Sequence, residues 1–277
     1  MVTADDFGLA EEVNEAVEYA HRTGVLSAAS LMVAGPAARH AVHLARRLPG
    51  LRVGLHLVLV DGAPALPREE VTELIDAAGA LRGDLLSTAL RLALSPLARR
   101  QMAQEIAAQL AAFRDTGLTL DHINAHRHFH VHPVVAADFI RQAAQDGAKA
   151  VRVPFEPIEP LRRVEPTSLT WQQLVTAPWA GRLRERARRV GLQVPTATFG
   201  VRWSGQMTAK RLTGLLRHLP DGLNEIYLHP ATSNTFAGCT PGCHYSEEFA
   251  ALVDREVIET VRRSGSAVGG YQDFLPV

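Results

Sequence analysis

Short runs of consecutive apolar residues alternate along the chain with longer segments in which apolar residues recur every three or four positions. The longer segments predict helices, because this spacing places the apolar side chains on one helical face, and the short runs have the length of buried strands. The predicted helices cover residues 10–22, 36–47, 97–114, 133–146, 207–218 and 246–264. The predicted strands lie at residues 1–4, 27–33, 51–60, 118–125, 148–153, 225–228 and 266–271.

Strands that alternate with helices predict an α/β fold in which helices pack outside a parallel sheet. About six to eight such units favour a single, distorted (β/α) barrel with its active site at the C-terminal edge of the strands. One domain would then span residues 1–277, and the stretches near 61–96 and 155–206, rich in Pro, Leu and Arg, would be loop or lid insertions. A doubly wound open sheet is the alternative, but no Gly-x-Gly-x-x-Gly motif follows the first strand.

Composition narrows the function classes. Lys plus Arg and Asp plus Glu number 29 each, so the net charge of zero argues against a nucleic-acid partner and a polybasic membrane protein. No transmembrane run or secretory leader is recognisable, and we expect a cytoplasmic globular protein. The only cysteines, Cys239 and Cys243, exclude a disulfide scaffold, while a single disulfide or a second metal site at this pair stays open.

Histidines are concentrated in one short stretch. Five of the 12 histidines fall within residues 122–132, where random placement would put roughly half a histidine. In an extended strand every second side chain shares a face, although a turn after His126 would break that register. So many imidazoles have little structural use on one strand, and the stretch therefore predicts a metal site.

Three further positions carry candidate chemistry. Asp5 and Asp6 come where the first strand ends, either as reacting carboxylates or as an ordinary turn. His56 lies in an apolar run and is either a functional residue or a core histidine with a backbone partner. His229 precedes Pro230 at the end of a late strand, a position that suits acid–base work or capping equally.

Four motifs, taken in this order, resemble the YdjC-like carbohydrate deacetylase family. They are Ala-Asp-Asp-Phe-Gly at 4–8, Gly-x-His at 54–56, the histidine-rich stretch at 122–130 and His-Pro at 229–230. The resemblance is closest to the hopanoid-biosynthesis-associated branch of that family. Segments at 151–157, 199–205 and 225–232 carry it.

The resemblance implies one divalent metal ion, with zinc or magnesium the leading candidates, in a distorted barrel. By family analogy, Asp6, His56 and His126 are the ligands, Asp5 is the general base and His229 is the general acid. Such an enzyme would hydrolyse an N-acetyl amide with a metal-activated water.

Further residues are implied at the substrate. His130 would contact substrate or serve as a reserve ligand, since related deacetylases use a His-x-x-x-His pair. Arg152 and Trp203 would hold the sugar by hydrogen bonds and by stacking. At Asn124 the family often has Asp, so the carboxylate expected behind a metal ligand is absent here.

The branch resemblance implies N-acetylglucosaminyl bacteriohopanetetrol as the substrate, converted to the free glucosaminyl lipid and acetate. Residues 168–205, which hold all three tryptophans and an arginine-rich run, could then form a lid or a peripheral contact with the inner face of the membrane. An ordinary amphipathic helix is an equal interpretation of that segment, and a homodimer is compatible with the sequence. Alternatives for the whole chain are a deacetylase of soluble chitooligosaccharides, a metal-dependent phosphoesterase and a non-catalytic, metal-dependent sugar-binding protein.

Overall fold

The computed structural model describes residues 1–168 and 171–275, and only the backbone of residues 171–176. One parallel sheet forms the centre of the molecule. Its strands are β1 (Val2–Phe7), β2 (Ala28–Leu31), β3 (Arg52–Leu57), β4 (Ile123–Ala125), β5 (Ala197–Phe199) and β6 (Asn224–Leu228). They run in the order β4-β3-β2-β1-β6-β5 and curl into a half-barrel. The prediction of an α/β fold with parallel strands is therefore confirmed, whereas a closed barrel is not shown.

Helices connect the strands and cover the outside of the sheet. They are α1 (Glu11–Thr23), α2 (Ala38–Arg46), α3 (Leu85–Leu94), α4 (Pro96–Asp115), α5 (Pro133–Gln145), α6 (Ile158–Val164), α7 (Trp171–Arg189), α8 (Ala209–Leu216), α9 (Tyr245–Val253) and α10 (Arg255–Ser264). Short 3₁₀ turns lie at Arg68–Glu70, His126–Val131 and Tyr271–Phe274. Five of the six predicted helices correspond to single helices, because their apolar stripes face the sheet as the spacing requires.

The two edge strands, β4 and β5, do not pair with each other among the described residues. An extended segment at 150–155 spans the gap: the amide of Arg152 donates to Ile123 O at 3.0 Å, and that of Thr198 donates to Phe155 O at 2.9 Å. The strand predicted at 148–153 is thus reduced to isolated bridges at Ala150 and Val151. This segment carries Arg152 into the interior.

The last predicted elements are partly wrong. The helix expected at 246–264 is two helices, since the Asp254 side chain accepts the amides of Glu256 at 2.8 Å and Val257 at 3.1 Å and so caps a new helix. No strand forms at 266–271, where Gly270 lies so close to Arg52 that a Cβ would meet the Cβ of Arg52 at 2.4 Å. That close backbone approach replaces a regular ladder.

The two predicted insertions have different characters. Residues 61–96 hold a 3₁₀ turn and α3, whereas residues 155–206 hold α6, α7 and also β5, so the second segment supplies a strand of the sheet. The side chain of Trp171, part of the predicted lid, lies outside the described residues. Trp179 is 38% exposed, with the guanidinium of Arg182 4.6 Å from its ring centre. Within the described parts of the chain, no helix has the length and apolar character needed to cross a membrane.

Candidate metal and active site

Two adjacent carboxylates leave the end of β1 in different directions. Asp6 has a φ of 61°, in the left-handed region, and the pairing register with β2 shifts between Ala4 and Phe7. Non-glycine residues rarely adopt this conformation, and such strain is often found at functional sites. The bulge interrupts the regular alternation of side chains, so Asp5 and Asp6 both lie near His56, while Arg152 bonds Asp5 alone.

Asp6 lies within a trio with two histidines, in which Asp6 and His56 are buried and His126 is partly buried. Its Oδ1 is 3.2 Å from Nε2 of His56, at the end of β3, and 3.1 Å from Nδ1 of His126, which directly follows β4. One potential ligand atom from each of the three residues lies within 4.8 Å of the others. Burial alone would raise the pKa of Asp6, but the neighbouring His126 and His56 hold it well below its usual range.

The trio fits a divalent cation. Nε2 of His56 is buried without a hydrogen-bond partner among the described residues, although a carboxylate oxygen lies beside it. Two imidazole nitrogens and one carboxylate form a donor set suited to Zn²⁺ and to other first-row divalent metals. Three protein ligands also leave coordination positions open, as catalytic metal sites require.

Asp5 belongs instead to a buried ion network. Its Oδ2 accepts a hydrogen bond from Arg152 Nη1 at 2.5 Å and its Oδ1 one from Nη2 at 2.9 Å. Arg152 Nη2 also donates to Glu225 Oε1 at 2.7 Å, and the Tyr271 hydroxyl donates to Glu225 Oε2 at 2.8 Å. Burial would raise the pKa of Asp5, but the charge and hydrogen bonds of Arg152, together with His56 and His229, outweigh burial and lower that pKa, so this carboxylate is ionised.

His229 follows the end of β6 and provides a cationic group near both carboxylates. Burial alone would lower its pKa, but Glu248, Asp6 and Asp5 outweigh burial and raise the pKa to about 9. Glu248 Oε2 accepts the backbone amide of His229 at 2.5 Å and lies 3.8 Å from ring Nδ1. The ring contact is therefore an attraction between charges, and the imidazole is protonated at neutral pH.

The other histidines of the stretch lie apart from the trio. Nε2 of His130 is 2.9 Å from Arg152 O, burial lowers its pKa to about 4, and it offers no ligand atom to the trio. His128 Nε2 is 2.9 Å from the Tyr227 hydroxyl. The side chains of residues 122–130 do not share one face, because the chain turns after β4. Both Arg127 and His128 have a φ of 53° in this turn.

Arg152 and Trp203 are placed differently from the sugar contacts expected of them. Arg152 is fully buried with both terminal nitrogens bonded to carboxylates, so its guanidinium positions Asp5. Trp203 is only 4% exposed and its ring lies 5.1 Å from the guanidinium carbon of Arg211. Little of the Trp203 ring is left open for a sugar to stack on.

Sequence reasoning missed two acidic residues of the site, Glu225 and Glu248. Both are fully buried. A charged residue in the apolar run that became β6 was an available signal for Glu225, since a buried charge needs a partner. Glu248 lies on α9, where an acidic residue in the first turn has the ordinary appearance of a helix terminus.

Comparison with known proteins places this geometry in a family context. The profile of the family described as "YdjC-like protein" matches residues 1–263. A carbohydrate deacetylase of Brevibacillus brevis is 38% identical over 157 residues, which are 56% of this chain and 59% of that protein. A carbohydrate deacetylase of Geobacillus stearothermophilus is 29% identical over 279 residues, covering 99% of this chain and 97% of that protein.

A solved structure shares the fold. It is a protein of Enterococcus faecalis V583 provisionally named a cellobiose-phosphate cleavage protein, with a TM-score of 0.76 and 22% identity. The match covers 100% of this chain and 98% of that chain. At this identity, the likeness supports the half-barrel architecture alone.

Proposed function

Because the chain belongs to the YdjC-like protein family, we propose that it is a metal-dependent carbohydrate N-deacetylase. Its proposed substrate is the N-acetylglucosamine group of N-acetylglucosaminyl bacteriohopanetetrol, and its products are acetate and the free amine. The observation that carries the proposal is the divergent pair at the end of β1. Asp6 faces two imidazoles, while the adjacent Asp5 is a buried, ionised carboxylate.

Asp6, His56 and His126 would hold the metal, which when bound supplies Lewis-acid polarisation of the acetyl carbonyl. Asp5 would accept the proton of the attacking water. Arg152 fixes the orientation of that carboxylate through two hydrogen bonds and shares its charge with Glu225.

His229 would donate the proton that the leaving amine requires. Its pKa of about 9 keeps it charged at neutral pH, and Glu248 holds the backbone at this position. The surroundings of Asp5, the base, lower its pKa, and those of His229, the acid, raise its pKa. Such separation is the usual arrangement in acid–base catalysis at one pH.

Exposed apolar surface supports a lipid-linked substrate and a peripheral membrane contact. Leu86 and Leu94 on α3 are 71% and 78% exposed, and Leu90 and Leu97 are 53% and 51% exposed. Leu86, Leu90 and Leu94 recur every four residues along α3, and Leu97 lies in the first turn of α4, within the long connection between β3 and β4. Exposed apolar side chains grouped along one helix are typical of surfaces that bind apolar partners.

Acetate release from the glycolipid and from N,N′-diacetylchitobiose tests the proposal, with metal-stripped and zinc-restored protein. We expect zinc-dependent release from the glycolipid and slower release from the disaccharide. Release from chitobiose alone would retain the chemistry and reject the lipid substrate. No release from either substrate by zinc-loaded protein would reject deacetylation.

A further inference from the structure

Asn124 lies in β4 beside His56 of β3, and its fully buried amide contacts groups with conflicting demands. One end of the amide is 2.7 Å from His56 Nδ1 and 3.3 Å from Leu55 O. The other end is 2.8 Å from Ser30 Oγ and 3.1 Å from each of Arg152 Nη1 and Nη2. An amide has one oxygen and one nitrogen, so these two ends cannot both accept hydrogen bonds.

Arg152 requires the amide oxygen. Its guanidinium only donates hydrogen bonds, and Nη1 has one hydrogen besides that given to Asp5, so an amide oxygen at 3.1 Å accepts from Nη1. The Asn124 nitrogen then donates to His56 Nδ1, which must be the unprotonated nitrogen of a neutral ring. His56 consequently carries its proton on Nε2, the nitrogen that faces Asp6 at 3.2 Å.

A metal on His56 requires the opposite arrangement. Coordination through Nε2 uses its lone pair, so the neutral ring keeps its proton on Nδ1 and needs an oxygen at 2.7 Å. The amide nitrogen of Asn124 then points at Arg152, donor against donor. It keeps hydrogen bonds to Ser30 Oγ at 2.8 Å and to Asp5 Oδ1 at 3.4 Å.

Ser30 is compatible with either orientation, because a hydroxyl both donates and accepts. Facing the amide oxygen, it donates its one hydrogen to Asn124, and His122 Nε2 must then carry a proton and donate to Ser30 Oγ. When Ser30 faces the amide nitrogen, it accepts from Asn124 and donates to His122 Nε2 at 3.0 Å. The other ring nitrogen of His122, Nδ1, then donates to Asp121 Oδ2 at 2.9 Å. The opposed demands on the amide are those of His56 and Arg152, while Leu55 O favours the nitrogen at the His56 end and Asp5 Oδ1 favours it at the Arg152 end.

We propose that Asn124 is a positioning residue that controls metal affinity. Its amide bonds Arg152 in the metal-free protein and rotates by about half a turn to accept from His56 Nδ1 when the metal binds. Metal loading is weakened because it breaks the Asn124–Arg152 contact. This inference rests on the proposed metal site formed by Asp6, His56 and His126.

The ring proton of His56 reports the rotation directly. Histidine-selective ¹⁵N NMR of the full chain, with the His56 signal assigned by comparison with His56→Gln, identifies the protonated nitrogen before and after zinc addition. We expect Nε2–H in zinc-free protein and Nδ1–H in zinc-loaded protein. Nδ1–H in both states would overturn the inference and leave the metal site intact, whereas no zinc binding at all would overturn the metal site itself.

Asn124→Asp supplies oxygens to both neighbours and provides a second test by zinc titration. The variant should bind zinc at least about tenfold more tightly than wild type and show His56 as Nδ1–H even without zinc. Asn224→Asp is the control, because it adds the same charge at a buried asparagine of β6 whose side-chain nitrogen donates to Pro220 O and Gly222 O. Equal or weaker zinc binding by Asn124→Asp, or equal tightening in the control, would contradict the proposed role.

Discussion

The two neighbouring carboxylates at the end of β1 meet opposite surroundings. Asp5 faces a cation of the protein itself, with Arg152 Nη1 at 2.5 Å. Asp6 faces two imidazoles, His56 at 3.2 Å and His126 at 3.1 Å, and has no Arg or Lys partner among the described residues. The charge of Asp5 is thus balanced from within, whereas the set around Asp6 is suited to an added cation.

This difference shows how one strand end can provide two functions. A buried charge is stable only when it is paired or bound to a metal, so the partner of each carboxylate indicates its role. The left-handed backbone at Asp6 brings both side chains to one site, where each lies near a different nitrogen of His56. Without that bulge, consecutive residues of a regular strand would point to opposite faces of the sheet and could not serve one site.

Replacing the internally balanced carboxylate should have the largest effect on activity. We expect Asp5→Asn to lower acetate release by about 10³-fold, within the range for loss of a general base, because an amide cannot take the proton from water. Zinc content, measured by mass spectrometry on the same sample, should equal that of wild type. A loss of zinc in parallel with activity would place Asp5 among the ligands and remove the contrast with Asp6.

Removing the internal cation should cost stability. Arg152→Met leaves Asp5 and Glu225 buried without a positive partner, and breaking a buried pair typically costs about 3–5 kcal/mol of unfolding free energy. Urea denaturation measures this loss. Arg127→Met is the matched control: it removes an exposed ion pair with Asp61 and should cost less than about 1 kcal/mol. A stable Arg152→Met protein with only a raised KM would restore the sugar-binding role expected from the sequence.

The pH profile tests the acid at His229. A raised pKa means that the charged form, and the stability it contributes, is complete below the ordinary value of 6.5 and is lost as pH rises through about 9. Bound zinc offsets the charge of Asp6 and so lowers the pKa of His229 below that of the zinc-free protein. The rate of acetate release by zinc-loaded protein should therefore fall on the basic side, the basic limb of the profile, at a pH between 6.5 and about 9. Glu248→Gln removes the carboxylate 3.8 Å from the ring and should lower that limb by about one pH unit.

A neighbouring glutamate provides the control for this shift. Glu247 pairs with exposed His244 at 3.1 Å, so Glu247→Gln should leave the basic limb in place. An unchanged limb in Glu248→Gln would show that a group other than His229 sets it.

The smallest effect is expected away from both carboxylates, at Trp203. Because this ring is buried against Arg211, Trp203→Phe should change the KM for the glycolipid by less than about twofold and lower stability by roughly 1 kcal/mol. Steady-state kinetics and urea denaturation measure the two quantities. A tenfold rise in KM without loss of stability would show that the sugar does contact this ring.

The fold was predictable where local signals were strong. The helix predicted at 97–114 is α4, since its apolar spacing is regular and Ser95 caps it by accepting the amide of Ala98 at 3.1 Å. β5 was missed because three residues carry too little pattern. The split of the last long helix depends on the Asp254 cap, which interrupts an otherwise continuous helical pattern.

The site was predictable only in part, for a different reason. Parallel strands bring their C-terminal ends to one edge, so a site that gathers Asp6, His56 and His126 follows from the strand order. The partner of Asp5 lies 147 positions away, in a segment that closes the gap between the edge strands. No spacing or motif reports such a contact, so the sequence assigned Arg152 to the sugar instead of to Asp5.

Zinc titration of Asp5→Asn and Asp6→Asn side by side, by calorimetry on metal-stripped protein, tests the contrast between the two carboxylates most directly. The two variants make the same chemical change at adjacent residues and so control for each other. We expect Asp5→Asn to bind zinc within about tenfold of wild type and Asp6→Asn to bind it at least about 100-fold more weakly. Equal affinities in the two variants would contradict the assignment of one carboxylate to the metal and the other to the reacting water.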